Sequence, residues 1–139
     1  MLADGDHPKV GDRKLMLGVR IGMPPHGDVQ LNNKGAVVPG SGGMSVARNW
    51  KELPYFLIPP RLGHLVPELR KKRAASGNDQ AKCWWMGEGP FENSPINAQL
   101  SLRLDNDLHG LIEPNEEVSI ETFQTSLAAT RDSWTIDET

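Results

Sequence analysis

The sequence predicts one loop-rich globular domain that combines several short strands with an amphipathic helix near its C-terminal end. Its 139 residues are enough for one modest hydrophobic core. The 14 glycines and 11 prolines favour many turns and argue against a helical bundle. Because the first 12 residues are polar, we expect a flexible N-terminus over residues 1–12 and a single domain over residues 13–139.

Alternating apolar residues predict the first strand at residues 14–21. The odd-numbered residues of this segment are apolar and share one face, whereas Arg20 lies on the other face. Residues 28–31 and 36–38 flank the polar segment Asn32–Gly35. Since Asn and Gly tolerate positive φ in a tight turn, this spacing predicts a β-hairpin.

Further short elements follow in the second half of the chain. We predict a helical turn over residues 47–53, a basic helix over 65–73, a buried strand over 82–86, a strand over 100–104 and a strand or turn over 108–114. Among these segments, residues 82–86 are mostly apolar and residues 100–104 alternate between apolar and polar residues.

The clearest helix begins after Ser119 and is amphipathic. Its apolar residues recur close to a helical period: Ile120, Phe123, Leu127 and Trp134. The Ser119 side chain can cap the first turn, and Glu121 suits the positive end of the helix dipole.

The charges are distributed unevenly, although the net charge is only −3. Residues 48–82 carry eight Lys or Arg against three acids, and residues 105–139 carry nine acids against one base. These two regions can attract each other, or they can face an anionic ligand and a basic partner. The run Arg70–Arg73 favours an exposed loop, and with this overall charge we expect no nucleic-acid role.

Several other classes are excluded on composition. No apolar stretch approaches the roughly 20 residues of a membrane-spanning helix, so we expect no membrane partner. The first residues lack the basic start and apolar segment of a secretory signal. Cys83 is the sole cysteine, which excludes an internal disulfide, and we interpret it as a buried thiol. The four histidines are scattered, so we expect no metal site.

Three stretches carry side chains suited to binding or catalysis. The glycine-rich segment Pro39–Val46 lets the backbone approach a phosphate or a polar ring, although a plain flexible loop fits the same pattern. Arg20 offers a guanidinium fork for phosphate or carboxylate, or is a half-exposed strand charge. His109 and Glu113 can both reach a cleft, or Glu113 can simply pair with a lysine.

In order and spacing, these stretches resemble the small NAD-dependent, ADP-ribosyltransferase-like toxins delivered by type VI secretion, of the effector-two kind. The resemblance covers residues 14–134. The family patterns Leu-Tyr-Arg, Gly-Gly-Thr-Ser-Val and His-x-x-Ile-x-Pro correspond here to Gly18–Arg20, Gly42–Val46 and His109–Pro114, which the Ser119 helix follows. The family tyrosine is Val19 in this chain, and the family threonine is Met44.

The resemblance implies a compact α+β domain in which two small packed sheets enclose a cleft for NAD as substrate. Around this cleft we expect the catalytic residues Arg20, Ser45 and Glu113 and the cofactor-binding residues Gly42, Gly43, Met44 and His109.

Each of four side chains then has an expected role. Arg20 would hold the pyrophosphate or a ribose, and Ser45 would orient the nicotinamide ribose. His109 would bind the adenine-side ribose or steer the acceptor. Glu113 is assigned on physical grounds, because a carboxylate near the ribose stabilises the positive charge that develops when the nicotinamide bond breaks.

A toxin of this kind would act in the cytoplasm, in the producing cell or after delivery into a target cell. It would modify an unidentified protein or consume NAD, and it would meet a cognate immunity protein. Three alternatives stay open: a non-enzymatic interaction module that uses Trp84–Trp85 and the basic region 48–82, an RNA-directed enzyme that uses Arg70–Arg73, and a degenerate relative of the toxin fold.

Overall fold

The computed structural model describes residues 1–22, 27–66, 73–87 and 89–139. Residues 23–26 and most of the predicted basic helix over 65–73 lie outside these ranges. The described strands are, in chain order, β1 (Ala3–Asp4), β2 (His7–Pro8), β3 (Ala36–Val37), β4 (Met44–Ala47), β5 (Trp84–Met86), β6 (Ser94–Pro95), β7 (Leu100–Leu104), β8 (His109–Pro114), β9 (Val118–Ser119) and β10 (Trp134–Ile136). The helical elements are α1 (Ile120–Ala128) and 3-10 helices at Trp50–Glu52, Tyr55–Leu57, Pro60–Leu65 and Arg131–Ser133.

Four antiparallel strands form the largest sheet, in the order β4-β8-β7-β6. Ile112 on the central strand β8 lies opposite Met44 on one side and opposite Leu102 on the other. Because directly opposed residues point to the same face, these three side chains all face inward. The strand predicted over residues 100–104 is confirmed as β7, and of the two alternatives for residues 108–114 the structure has the strand, β8. The alternation of β7 is typical of a sheet with one face against the core.

The main hydrophobic core lies between the inner face of this sheet and α1. Its fully buried members come from both layers and from the connecting segments: Leu17, Val19, Val29, Val37, Leu100, Ile112, Phe123 and Leu127. Burying one such side chain contributes about 1.5–3 kcal/mol. Small antiparallel sheets packed with a C-terminal helix confirm the α+β class.

Helix α1 begins where the capping residue predicts. The Ser119 hydroxyl accepts a hydrogen bond from the Thr122 backbone N–H at 3.1 Å. Ile120, Phe123 and Leu127 are the buried face, as their spacing predicts. Trp134 is also buried, but it lies in β10 rather than on the helix, because α1 ends at Ala128.

A second, smaller core forms beneath the three consecutive 3-10 helices. Its buried residues are Ile58, Leu62, Val66 and Cys83. The helical turn predicted over residues 47–53 is the first of these 3-10 helices, and the Asn49 side chain caps it by accepting from the Lys51 N–H. Within the described ranges, no helix has both the length and the apolar character needed to cross a bilayer.

The strand predicted at residues 14–21 is wrong, because this segment forms only isolated bridges and no continuous strand pairing. Its two central apolar residues, Leu17 and Val19, are nevertheless buried in the core. Leu15 has a φ of 66°, in the left-handed region, which interrupts an extended strand. Isolated bridges join Leu17 to Val10 and Ile21 to Val29. Val19 instead pairs with a side chain: its N–H donates to Oε1 of Gln124 at 3.1 Å, and Nε2 of Gln124 donates to its carbonyl at 2.6 Å.

The hairpin predicted across Asn32–Gly35 has the right turn but the wrong strand partner. The Asn32 side chain accepts from the Lys34 and Ala36 N–H groups, which closes the turn. Beyond it, β3 pairs with β9 rather than with residues 28–31. This long-range pairing places Val37 opposite Val118 at the start of α1, which no local signal indicates.

Residues 1–12, which the sequence predicts to be flexible, make hydrogen bonds to the rest of the domain. Strands β1 and β2 form a small hairpin, and the Leu2 N–H donates to the Leu15 carbonyl at 2.8 Å. The Met1 carbonyl accepts from the indole N–H of Trp84 at 2.8 Å. The polar composition of residues 1–12 does not indicate these contacts, because backbone groups and the Trp84 indole make them.

The buried strand predicted over residues 82–86 is half right. Strand β5 exists and pairs with β10, but it is one strand of a two-stranded sheet at the surface. Cys83, just before it, is buried, whereas Trp85 keeps 42% of its surface exposed.

Replacing Gln124 with alanine should destabilise the protein, because the Val19 N–H and carbonyl then lose their partners in a buried segment. Leaving buried backbone groups unsatisfied costs about 1–3 kcal/mol each, so we expect the free energy of unfolding in urea to fall by about 2 kcal/mol. The control, Thr125→Ala on the exposed side of α1, should stay within about 0.5 kcal/mol of wild type. Equal stability of the two variants would contradict this role for Gln124.

Candidate site on the outer face of the four-stranded sheet

The outer face of the four-stranded sheet gathers three of the predicted site residues. Ser45 lies opposite Leu111, and His109 and Glu113 flank Leu111 along β8. Since alternate residues of a strand share a face, Ser45, His109 and Glu113 all lie on the side opposite the core. Arg103 of β7 also lies opposite Leu111 and completes this group. We call Ser45, Arg103, His109 and Glu113 the outer-face cluster.

Glu113 is the buried member of the cluster. It is only 7% exposed, and its Oε2 accepts from Nε of Arg103 at 3.0 Å and from the Gly40 N–H at 2.8 Å. An ion pair with these additional hydrogen bonds meets the condition under which a buried carboxylate is tolerated. Among the described residues no hydrogen bond reaches Oε1. The sequence suggested a lysine as the alternative partner of Glu113, and the partner is an arginine.

His109 is half-exposed at the end of β8, beside the turn that joins it to β7. Its Nδ1 lies 2.6 and 2.7 Å from the two carboxylate oxygens of Asp105. Desolvation works to raise the pKa of Asp105, but the hydrogen bond with His109, its backbone hydrogen bond and the nearby Arg103 outweigh it and lower the pKa below its usual value. The Asp105 side chain is therefore ionised at neutral pH and orients the imidazole.

Ser45 and Met44 lie on opposite faces of β4. Ser45 is exposed, and its side chain is accessible to a ligand lying over the sheet. Met44, predicted to bind the cofactor, is buried in the main core, so its side chain cannot touch a ligand on the outer face. Strand alternation is the reason, because neighbours in sequence point in opposite directions.

The two adjacent glycines, Gly42 and Gly43, are used for backbone packing. A Cβ atom on Gly43 would overlap the Ile112 carbonyl oxygen, and one on Gly42 would overlap the Asp28 carbonyl oxygen. Gly42 also has a φ of 123°, which side chains rarely adopt. The sequence predicted that these glycines admit a ligand; the close neighbours they admit are other segments of this chain.

Arg20 lies outside the outer-face cluster. Its backbone N–H donates to Oδ2 of Asp28 at 2.8 Å, and its guanidinium is 3.4 Å from Oδ1 of the same carboxylate. The link to the cluster is indirect, since the Asp28 carbonyl accepts from the Gly43 N–H at 3.1 Å. A ligand that uses Arg20 must therefore compete with Asp28.

Sequence reasoning missed two members of this arrangement, Arg103 and Asp105. The sequence indicates Arg103 only as one of the polar residues of the alternating strand 100–104. Its outward direction could be read from that alternation, but its partner could not. Asp105 follows the same strand and was counted only as one of the acidic residues of the C-terminal region.

A separate cleft of about 370 Å³ lies beside the first turn of α1, away from the predicted site residues. It is lined by Val10, Gly11, Asp12, Ile21, Ile120, Glu121 and Gln124. The described residues contain no group of three or more His, Cys, Asp or Glu side chains arranged as metal ligands.

Comparisons with known proteins return no relative. No protein-family model matches the chain, and no curated protein and no solved structure matches it either. The function must therefore be argued from the geometry of the site.

Cys83 is buried, as the sequence predicts, and burial raises the pKa of its thiol to about 11, with the nearby Glu138 carboxylate adding to the shift. The thiol is therefore protonated at neutral pH and is a poor nucleophile.

The raised pKa of Cys83 predicts a loss of stability in alkaline solution. An unfolded thiol loses its proton near pH 9, whereas the folded thiol holds its proton to about pH 11, so the folded state binds more protons between these values. The free energy of unfolding should fall across this window by up to about 2 kcal/mol more in wild type than in Cys83→Ala. Chemical denaturation at several pH values measures this difference, and parallel pH profiles would refute it.

Proposed function

We propose that this protein is an ADP-ribosyltransferase-like effector that binds NAD over the outer face of the four-stranded sheet. The observation that carries the proposal is that Ser45, His109 and Glu113, which are far apart in sequence, share one face around Leu111. The sequence predicts all three as site residues. Their position on one face of the sheet supports a common ligand.

Glu113 is suited to the chemistry of the nicotinamide–ribose bond. When that bond breaks, positive charge develops on the ribose, and a fixed carboxylate stabilises this charge more in the transition state than in the ground state. Arg103 and Gly40 both hold Oε2 of Glu113, so the side chain is already oriented. Its Oε1 is left to accept from a ribose hydroxyl.

The other side chains supply binding. The exposed hydroxyl of Ser45 would orient the nicotinamide ribose, and the half-exposed imidazole of His109 would contact the adenine-side ribose or the acceptor. To bind the pyrophosphate, the Arg20 guanidinium would release the Asp28 carboxylate and contact the phosphate oxygens instead. A guanidinium can do so because it binds phosphate and carboxylate in similar geometries. The target protein and a cognate immunity protein belong to the same proposal.

A specific observation supports a second candidate, a non-enzymatic interaction module. Trp85 is 42% exposed on the surface strand β5, and exposed tryptophans are enriched at protein interfaces. Met44 and Val19, where the toxin family has polar residues, are both core residues here. A chain that has kept the fold and lost the activity would have this pattern.

Calorimetric titration with NAD tests the proposed site. Wild type should bind NAD with a dissociation constant in the millimolar range or below, and Ser45→Ala should weaken binding by about tenfold because one hydrogen bond is lost. Since Ser45 is exposed, the variant should fold normally. Ser126→Ala on α1 is the matched control and should bind like wild type. No heat with wild type, or binding by Ser45→Ala and Arg20→Ala as tight as that of wild type, would contradict the site.

Bacterial growth separates the two candidates. Expression of wild type in the cytoplasm should slow growth, Ser45→Ala should relieve the effect, and Ser126→Ala should not. Harmless expression of wild type, combined with a directly bound partner protein whose binding Trp85→Ala abolishes, would favour the interaction module instead.

A further inference from the structure

We propose that Asp105 positions His109 as the base that accepts the proton of a hydroxyl acceptor, water or an alcohol, when the ADP-ribosyl group is transferred. This inference rests on the proposed function and adds a positioning residue and a proton acceptor to its site. The sequence indicated neither role for the pair.

The backbone places Asp105 directly beside His109. The Asp105 N–H donates to the His109 carbonyl at 3.1 Å, which continues the β7–β8 pairing by one more position. The Asn106 side chain accepts from the Leu108 and His109 N–H groups at 2.8 and 3.0 Å and shapes the turn. Both residues of the pair are thus held by main-chain bonds before their side chains meet.

The side-chain contact selects one form of the imidazole. With both carboxylate oxygens within 2.7 Å of Nδ1, the neutral ring carries its proton on Nδ1 and donates it to Asp105. Nε2 then carries a lone pair, and no described residue hydrogen-bonds to it. In many active sites a carboxylate orients a general-base histidine through the same hydrogen bond.

The imidazole of His109 is accessible from solvent. Ala47 of β4, a residue with a small side chain, lies opposite His109. The imidazole is 39% exposed in side-chain surface, so a small acceptor can approach it from solvent. In the next row Arg103, Leu111 and Ser45 continue the surface towards Glu113.

The reaction balances with this assignment. The C1′–N bond of NAD breaks, and nicotinamide leaves with the bonding electron pair as a neutral molecule. The hydroxyl oxygen of the acceptor forms the new bond to C1′, and its proton passes to Nε2 of His109, which later returns it to solvent. Glu113 stabilises the ribose charge but takes no proton.

The test combines a spectroscopic measurement with turnover. In ¹⁵N-edited NMR, wild-type His109 should carry its neutral-form proton on Nδ1, and Asp105→Asn should shift the population towards Nε2. Nicotinamide release should fall at least about tenfold in kcat for Asp105→Asn, and at least about 100-fold for His109→Gln. KM for NAD should change less than about twofold in Asp105→Asn, because Asp105 is not placed in contact with NAD.

Two further variants separate positioning from general damage. Asp107→Asn, on the same turn and without contact to His109, should match wild type, and Asp105→Glu should recover part of the lost turnover. Product analysis with and without excess methanol distinguishes the acceptors, since hydrolysis yields ADP-ribose and methanol yields the methyl glycoside of ADP-ribose.

The outcomes distinguish the two proposals. If wild type releases nicotinamide but Asp105→Asn does so at the same rate, or if wild-type His109 carries its proton on Nε2, the positioning role is overturned and the NAD site stands. If wild type neither binds NAD nor releases nicotinamide, the proposed function fails and this inference fails with it.

Discussion

The antiparallel pairing of β4 with β8 is the interaction on which both the core and the candidate site depend. It sets Met44 opposite Ile112 on the inner face, so that the sheet can close against α1. The same register sets Ser45 opposite Leu111 on the outer face. A shift by one residue would exchange the faces and expose the apolar side chains of β4, so burial of the core also determines which polar groups meet outside.

Gly43, just before β4, lets the chain lie close to β8 before the paired residues begin. At Gly43 the chain passes so close to the Ile112 carbonyl that no side chain fits. The loop then turns back, and the Gly40 N–H donates to the buried carboxylate of Glu113. Glu113 therefore has two functions in the fold: it neutralises Arg103, and it anchors the loop that leads into β4. A site built around Glu113 inherits this rigidity.

Much of the fold could be predicted from local pattern. Strand alternation at 100–104, the Ser119 cap and the helical period of Ile120, Phe123 and Leu127 all depend on neighbouring residues, and all are present in the structure. The failures at residues 14–21 and 36–38 share a different cause. In both, the hydrogen-bond partner comes from the C-terminal region, namely Gln124 and β9. Local signals carry no information about such a partner.

The candidate site divides in the same way. By itself the sequence determined which residue types were at hand, the inward or outward direction of those in alternating strands, and the short motifs that carry the toxin resemblance. Tertiary structure alone decided that Arg103 is the partner of Glu113, that Asp105 meets His109, and that Arg20 pairs with Asp28. The reason is physical: a charged group takes the partner that strand register and burial bring within reach, and register is a property of the whole packed core.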